Sequence, residues 1–227
     1  HADVAMTLQP LAWVLMQQER FEEAERLLLE ADAIRSSALG PSRVETLETR
    51  DRLADLYVLM GRFDDAEEMY AAVLEERRRV LPPEHEQILD TLSGVAELRV
   101  RQGRLEEARS MLEGLLETRR GVHEGGHPEI IETVMALSDV LLALGEVEAA
   151  LEVVRPLESA ARAAWPSPHA RLGRYLTRLG MCQSAAGRRV IAERTLEEAV
   201  RVLQAQRSAG HAWRVEAEGA LAGARGL

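Results

Sequence analysis

Histidine recurs at His85, His127, His169 and His211, each 42 residues after the last. Imidazole nitrogens bind metals and carry protons, so a ladder of metal sites is the first chemistry to weigh. Residues one repeat apart on neighbouring hairpins lie about 10 Å apart by helix packing distances, too far to share one ion. We therefore read each ring as a turn and cap at the start of a helix. His123 and His127 have a zinc-like spacing, but Gly125 and Gly126 lie between them, so no helix holds both on one face. No metal ligand is expected. Acid pairs recur too, at Glu22-Glu23, Asp64-Asp65 and Glu106-Glu107. Carboxylate pairs can do acid–base catalysis, but at the start of a helix they complement its dipole, and that account suffices. Cys182 is the single cysteine and falls on an apolar position of the same period, as a buried, inert thiol would. There is no Gly-x-Ser-x-Gly elbow, phosphate loop or HExxH pattern. The expectation is no enzyme, no catalytic residue and no cofactor.

The elements that would position these residues are helical. In residues 43–84, Leu53, Leu56, Tyr57 and Met60 form one apolar stripe, and Phe63, Ala66, Tyr70, Val73 and Leu74 form another after Gly61. This is a helix–turn–helix hairpin, and it recurs with a period of 42. Glu19, Gly61, Gly103, Gly145 and Gly187 mark the turns, where glycine suits a left-handed helix end. Ala24, Ala66, Ala108, Ala150 and Ala192 mark the close approach of paired helices. The matching small positions on the first helices are Ala12, Ala54, Ala96, Ser138 and Gly180. Leu11, Leu53, Val95, Leu137 and Leu179 are expected in the core, as are Val14, Leu56, Leu98, Val140 and Cys182. Pro82-Pro83, Gly125-Gly126 and Pro166-Ser167-Pro168 separate the copies. Pro156 should kink the fourth second helix, and Val190 or Ile191 should cover the apolar site that Arg189 vacates. The expected organisation is a single array: repeats 1–42, 43–84, 85–126, 127–168 and 169–210, then a capping helix at 211–227. Such repeats touch only their neighbours, so elongation is expected.

Net charge is −10, which argues against generic nucleic-acid binding. No apolar run reaches membrane-spanning length. All 28 basic residues are arginine, and asparagine is absent, as the codon bias of a GC-rich, bacterial genome would produce. One cysteine fits a reducing, cytoplasmic setting. The chain opens at His1, in phase with the repeat, so we expect a piece of a longer protein with an upstream segment over Met6, Trp13 and Met16.

The spacing from small residue to glycine to alanine, as in Ala54–Gly61–Ala66, resembles the tetratricopeptide repeat. The long period is similar to kinesin light chain and its bacterial relatives, whose turn Gly126-His127-Pro128 matches fully and Pro83-Glu84-His85 and Gly210-His211 match in part. The family's paired asparagines on the first helix are missing, and so is its lysine–asparagine carboxylate clamp. The resemblance implies an all-α, right-handed superhelical solenoid of five helix-turn-helix repeats plus a C-terminal capping helix. It implies a protein- or peptide-binding scaffold whose first helices line a concave groove. Carried onto this sequence, the groove residues are Trp13, Glu48, Asp51, Asp55, Val58, Leu59, Asp90, Glu97, Arg101, Glu132, Met135, Asp139 and Leu142. One reading is an acidic groove for a basic, apolar segment. The other is that these acids are only the solvated side of each helix. Residues 1–168 carry 15 more acids than arginines, whereas 169–210 are net +5. There Arg171, Arg174 and Arg178 share a helical face, readable as surface variation or as a basic patch for an acidic partner or a second copy. The alternatives to a binding scaffold are a structural, oligomerising array and the sensor region of a kinase or signalling ATPase.

Overall fold

The computed structural model describes residues 2–207 and 211–226, with side chains from residue 5 onward. Its first helices are α1 (Ala2–Gln17), α3 (Val44–Leu59), α5 (Glu86–Arg101), α7 (Pro128–Ala143) and α10 (Ala170–Ala185). Their partners are α2 (Phe21–Ala38), α4 (Phe63–Val80), α6 (Leu105–Val122), α8 (Val147–Val154) continued by α9 (Glu158–Ala164), and α11 (Arg189–Gln206). A last helix, α12 (Ala212–Arg225), follows. Successive first helices start 42 residues apart, and so do successive second helices. Gly210, part of one expected turn, lies outside the described residues.

The turns repeat atom for atom. At each, a backbone N–H reaches back to a carbonyl five residues earlier: Arg20 to Leu15, Arg62 to Tyr57, Arg104 to Arg99, Glu146 to Leu141 and Arg188 to Gln183, all at 2.8–3.0 Å. The preceding residue is left-handed in every copy. Gly61, Gly103, Gly145 and Gly187 have φ between +71° and +80°, and Glu19 takes the same conformation at +58°. The histidines cap first helices, as expected: Nδ1 of His85, His127, His169 and His211 accepts from the backbone N–H two residues on, at 3.2–3.4 Å. Pro156 lies in a 3₁₀ turn, Arg155–Leu157, that interrupts the fourth second helix.

All five column alanines are fully buried, and Ala12, Ala54, Ala96 and Ser138 are buried opposite them. At Gly180 an added Cβ would meet Leu196 at 2.5 Å, so that copy needs glycine. Cys182 is buried, and that burial pushes its thiol up to about 12.

Two core expectations fail. Leu11 and Val14 are 49% and 43% exposed, because among the described residues no hairpin precedes α1 to cover them as later copies are covered. Val190 and Ile191 are also exposed. Instead Arg189 reaches the end of α12, where Nε donates to the Ala224 carbonyl at 2.7 Å and Nη2 to that of Arg225.

Packing gathers the helices into two compact units, residues 1–108 and 109–227. The first has a core built on Leu28, Leu53, Leu56, Tyr57, Tyr70 and Leu98. In the second, Ala170, Val200, Leu203 and Ala217 form a cluster with Trp213 and Leu221 against it. No helix among the described residues is long and apolar enough to cross a membrane.

Candidate functional site

A feature of the seams between copies decides which polar groups are left for a ligand. Arg35, Arg77 and Arg119 are buried, one period apart. Each binds the first helix of the next copy. Nη1 of Arg35 donates to Thr49 Oγ1 at 2.7 Å and to the Glu45 carbonyl at 2.8 Å. Arg77 does the same to Thr91 and to the Gln87 carbonyl. Arg119 reaches Thr133 Oγ1 at 2.8 Å. Each threonine hydroxyl donates to the carbonyl four residues earlier, so it is oriented to accept from the guanidinium. The sequence reading missed these seams, although arginine and threonine at the 42-residue period signal them.

In residues 1–108 this seam consumes one proposed groove acid. Asp51 is ion-paired with Arg77, and Thr91 Oγ1 lies 3.2 Å from it. Burial pushes its carboxyl up to about 6 against the pull of Arg77. Asp51 is therefore a seam residue rather than an open ligand contact. Asp55 accepts from the Tyr70 hydroxyl at 2.6 Å and from Arg52 at 3.0 Å. Burial and then the Asp55 charge hold the Tyr70 phenol well above its ordinary pKa. Val58, expected on the groove, is 4% exposed and belongs to the core, because its position on α3 turns inward. Exposed on the first helices are Trp13, Glu48, Leu59, Asp90, Glu97 and Arg101. Glu97 and Arg101 pair along α5 at 2.7 Å.

In residues 109–227 the acidic face and the basic patch turn out to be two sides of one ladder. Glu132 lies 3.4 Å from Arg174 and 3.7 Å from Arg171. Asp139 meets Arg178 at 2.7 Å, and Arg178 also holds Glu216 of α12 at 2.5 Å. Burial pushes the Asp139 carboxyl up to about 6, with Arg178 opposing. The Arg174 guanidinium stands 4.5 Å over the Trp213 ring, which Arg207 also faces at 5.2 Å. Arg171 lies 5.9 Å from the Trp165 ring. The patch thus forms a ladder of pairs within residues 109–227, since long arginine side chains span the gap between neighbouring first helices. Met135 is 2% exposed and packs in the core; Leu142 is half-buried.

A family model for the tetratricopeptide repeat matches residues 3–79 and 87–155. The chain belongs to the tetratricopeptide repeat family. A search of curated proteins finds no significant match. Solved structures share the fold of this tetratricopeptide repeat chain. One contains the nearly identical TPR-like repeats of a Podosopora anserina protein named for kinesin light chain. It is 23% identical, with 92% of this chain and 99% of that chain covered and a TM-score of 0.68. BtubC (BKLC) from P. vanneervenii is 21% identical over 90% of this chain and 81% of its own, with a TM-score of 0.71. PlcR of Bacillus thuringiensis, solved in complex with the peptide PapR7 and DNA, is 11% identical over 96% and 74%, with a TM-score of 0.74.

Proposed function

We propose that this tetratricopeptide repeat array is a non-catalytic scaffold, and that the first-helix face of residues 1–108 binds a basic, partly apolar segment of another protein. The observation that carries this reading is the contrast in pairing. In residues 109–227 arginines of the next first helix neutralise Glu132 and Asp139. In residues 1–108 the in-phase positions Asp55 and Glu97 carry like charges, and among the described residues each takes an arginine only from its own helix. Glu48 has no ion-pair partner among the described residues, and Leu59 and Trp13 add exposed apolar surface. Acids of one sign beside apolar side chains favour a cationic chain and speed its encounter. The peptide bound by PlcR, a relative in fold, supports a peptide-sized ligand.

The test is a peptide-library selection on the intact chain. Selected peptides should be rich in Arg or Lys and lose binding as salt rises from 0.05 to ~0.5 M. Each exposed pair contributes about 0.2–1 kcal/mol, so Glu48→Arg combined with Glu97→Arg should weaken binding roughly tenfold or more, because attraction becomes repulsion. Acidic peptides, or basic ones indifferent to the double reversal, refute the assignment.

A further inference from the structure

Three buried arginine–threonine pairs seam a second helix to the next first helix: Arg35 with Thr49, Arg77 with Thr91 and Arg119 with Thr133. Four and seven residues after each threonine, the same helix face carries apolar side chains. These are Leu53 and Leu56 on α3, Val95 and Leu98 on α5, and Leu137 and Val140 on α7; all are buried except Val95, which is half-buried. One period before Thr49, α1 repeats the pattern with Thr7, Leu11 and Val14. All three are exposed.

The covered copies specify what closes such a face. An amphipathic helix meets it, and the buried stripe of that helix ends in the seam arginine: Tyr70, Val73 and Arg77 on α4, and Leu112, Leu115 and Arg119 on α6. The two helices run antiparallel. Arg77 meets Thr91, whereas Tyr70, earlier on α4, lies against Gly94, later on α5. The arginine is selected because each seam threonine donates its hydroxyl hydrogen to its own helix and so offers the neighbour only an acceptor. The α7 stripe has the residue types of the α1 stripe, Thr, Leu and Val in the same order, and the helix seamed to it is α6. A second copy of the chain is not the source of such a helix. Among the described residues, α2, α4, α8 and α11 pack on first helices of their own chain, and α6 is held through Arg119.

We propose that Thr7, Leu11 and Val14 are the open half of a further seam, and that they receive an arginine-bearing amphipathic helix of a partner protein. The partner helix lies antiparallel to α1. Its arginine donates to the Thr7 hydroxyl, and its apolar side chains four and seven residues earlier cover Leu11 and Val14. Its three anchors thus fall at i, i+3 and i+7, one face of a helix. None of the three α1 residues belongs to the acidic site proposed above, so the two readings stand or fall separately.

The probe that tests this is a fluorescein-labelled peptide of the α6 sequence, residues 105–122. A hydrocarbon staple between positions 110 and 114, both exposed on α6, holds it helical. It carries four glutamates and three arginines, so the acidic site does not select it. Fluorescence anisotropy with the intact chain should show saturable binding. Leu11→Gln with Val14→Gln should weaken binding at least about tenfold by removing the apolar contact, and Thr7→Val should weaken it several-fold. These α1 positions are exposed, so the variants should fold, and circular dichroism checks that they do. Arg119→Gln in the peptide, read against the parent chain, should also cost several-fold. Glu48→Arg with Glu97→Arg should leave binding unchanged. The proposal is overturned if the parent chain shows no saturable binding, or if the Leu11→Gln, Val14→Gln chain or the Arg119→Gln peptide binds as tightly as the parent pair. Loss of binding on the Glu48 and Glu97 reversal overturns it too.

Discussion

Gly94 and Tyr70 show how one residue type can be fixed by a hydrogen bond on another helix. A Cβ at Gly94 would stand 2.6 Å from the Tyr70 hydroxyl oxygen, which is the group that binds Asp55. Tyr70 is buried, so its ring swings aside only at a cost to the packing around it. Gly94→Ala should therefore expel the phenol and cost about 1–3 kcal/mol in denaturant unfolding, despite the better helix propensity of alanine. In a double-mutant cycle Tyr70→Leu, which also removes the ring carbons that would stand at 2.7 and 2.8 Å, should make Gly94→Ala less costly; an additive loss refutes the clash. Glu19 makes the opposite case. It holds a left-handed conformation that glycine supplies in the other four turns. Glu19→Gly should raise stability by about 1 kcal/mol, as read by the denaturant midpoint. A neutral or destabilising result would show that the glutamate side chain stabilises this turn.

At the scale of the element, a helix here is positioned by its small residues and its caps. Ala66 is fully buried within the same core as Ala54. Ala66→Leu should cost about 1–3 kcal/mol, whereas the same change at exposed Glu68 should stay within about 0.5 kcal/mol. Equal losses in thermal unfolding would mean that the two helices do not meet at this column. The cap of α12 brings in pH. The His211 Nδ1 accepts from Trp213 N–H at 3.3 Å, which requires an unprotonated nitrogen. Desolvation and then the nearby Arg207 charge hold its pKa below the ordinary 6.5. The unfolded chain therefore takes up the proton first. The cap's contribution is complete above 6.5 and is lost as pH falls below that value. Hydrogen-exchange protection factors in α12 should fall between pH 7 and about 5 in the parent chain, and much less in His211→Asn, which caps without titrating.

The elements were legible in the sequence because a 42-residue period prints each constraint several times: Gly at the turns, Ala at the close approaches, His at the caps. What was not legible needed partners from different copies. Nothing local marks Asp51 as a seam residue or Val58 and Met135 as core. Their surroundings are set by side chains such as Arg77, which reach in from another helix. The arginine patch misled for the same reason. Arg174 and Glu132 are one period apart, and only packing reveals that this separation in sequence is a contact in space.

For the molecule as a whole, the charge division along the chain has a different meaning once those pairs are seen. Residues 169–210 are net +5, but Arg171, Arg174 and Arg178 all face acids or tryptophans of the same unit. Their charges are already engaged within that unit. Sedimentation velocity should thus show one species, with no concentration-dependent association that salt dissolves. Salt should instead lower thermal stability slightly, by screening half-exposed pairs such as Asp139–Arg178.

The seams bear on how such a chain can change over evolutionary time. At the two positions where the first three junctions carry Arg and Thr, the fourth carries Ala161 and Tyr175 and the fifth carries Leu203 and Ala217, every one of them buried. Tyr175 even satisfies itself differently, its hydroxyl donating to the Val154 carbonyl at 2.5 Å. The copies are alike in outline but cut to different keys. A hairpin duplicated or transplanted along the array would bring half a key to a foreign lock: a buried guanidinium facing alanine, or a tyrosine ring where an arginine already lies. The order of the copies is in this sense inherited as a unit, and shuffling should succeed only when both halves of a junction travel together.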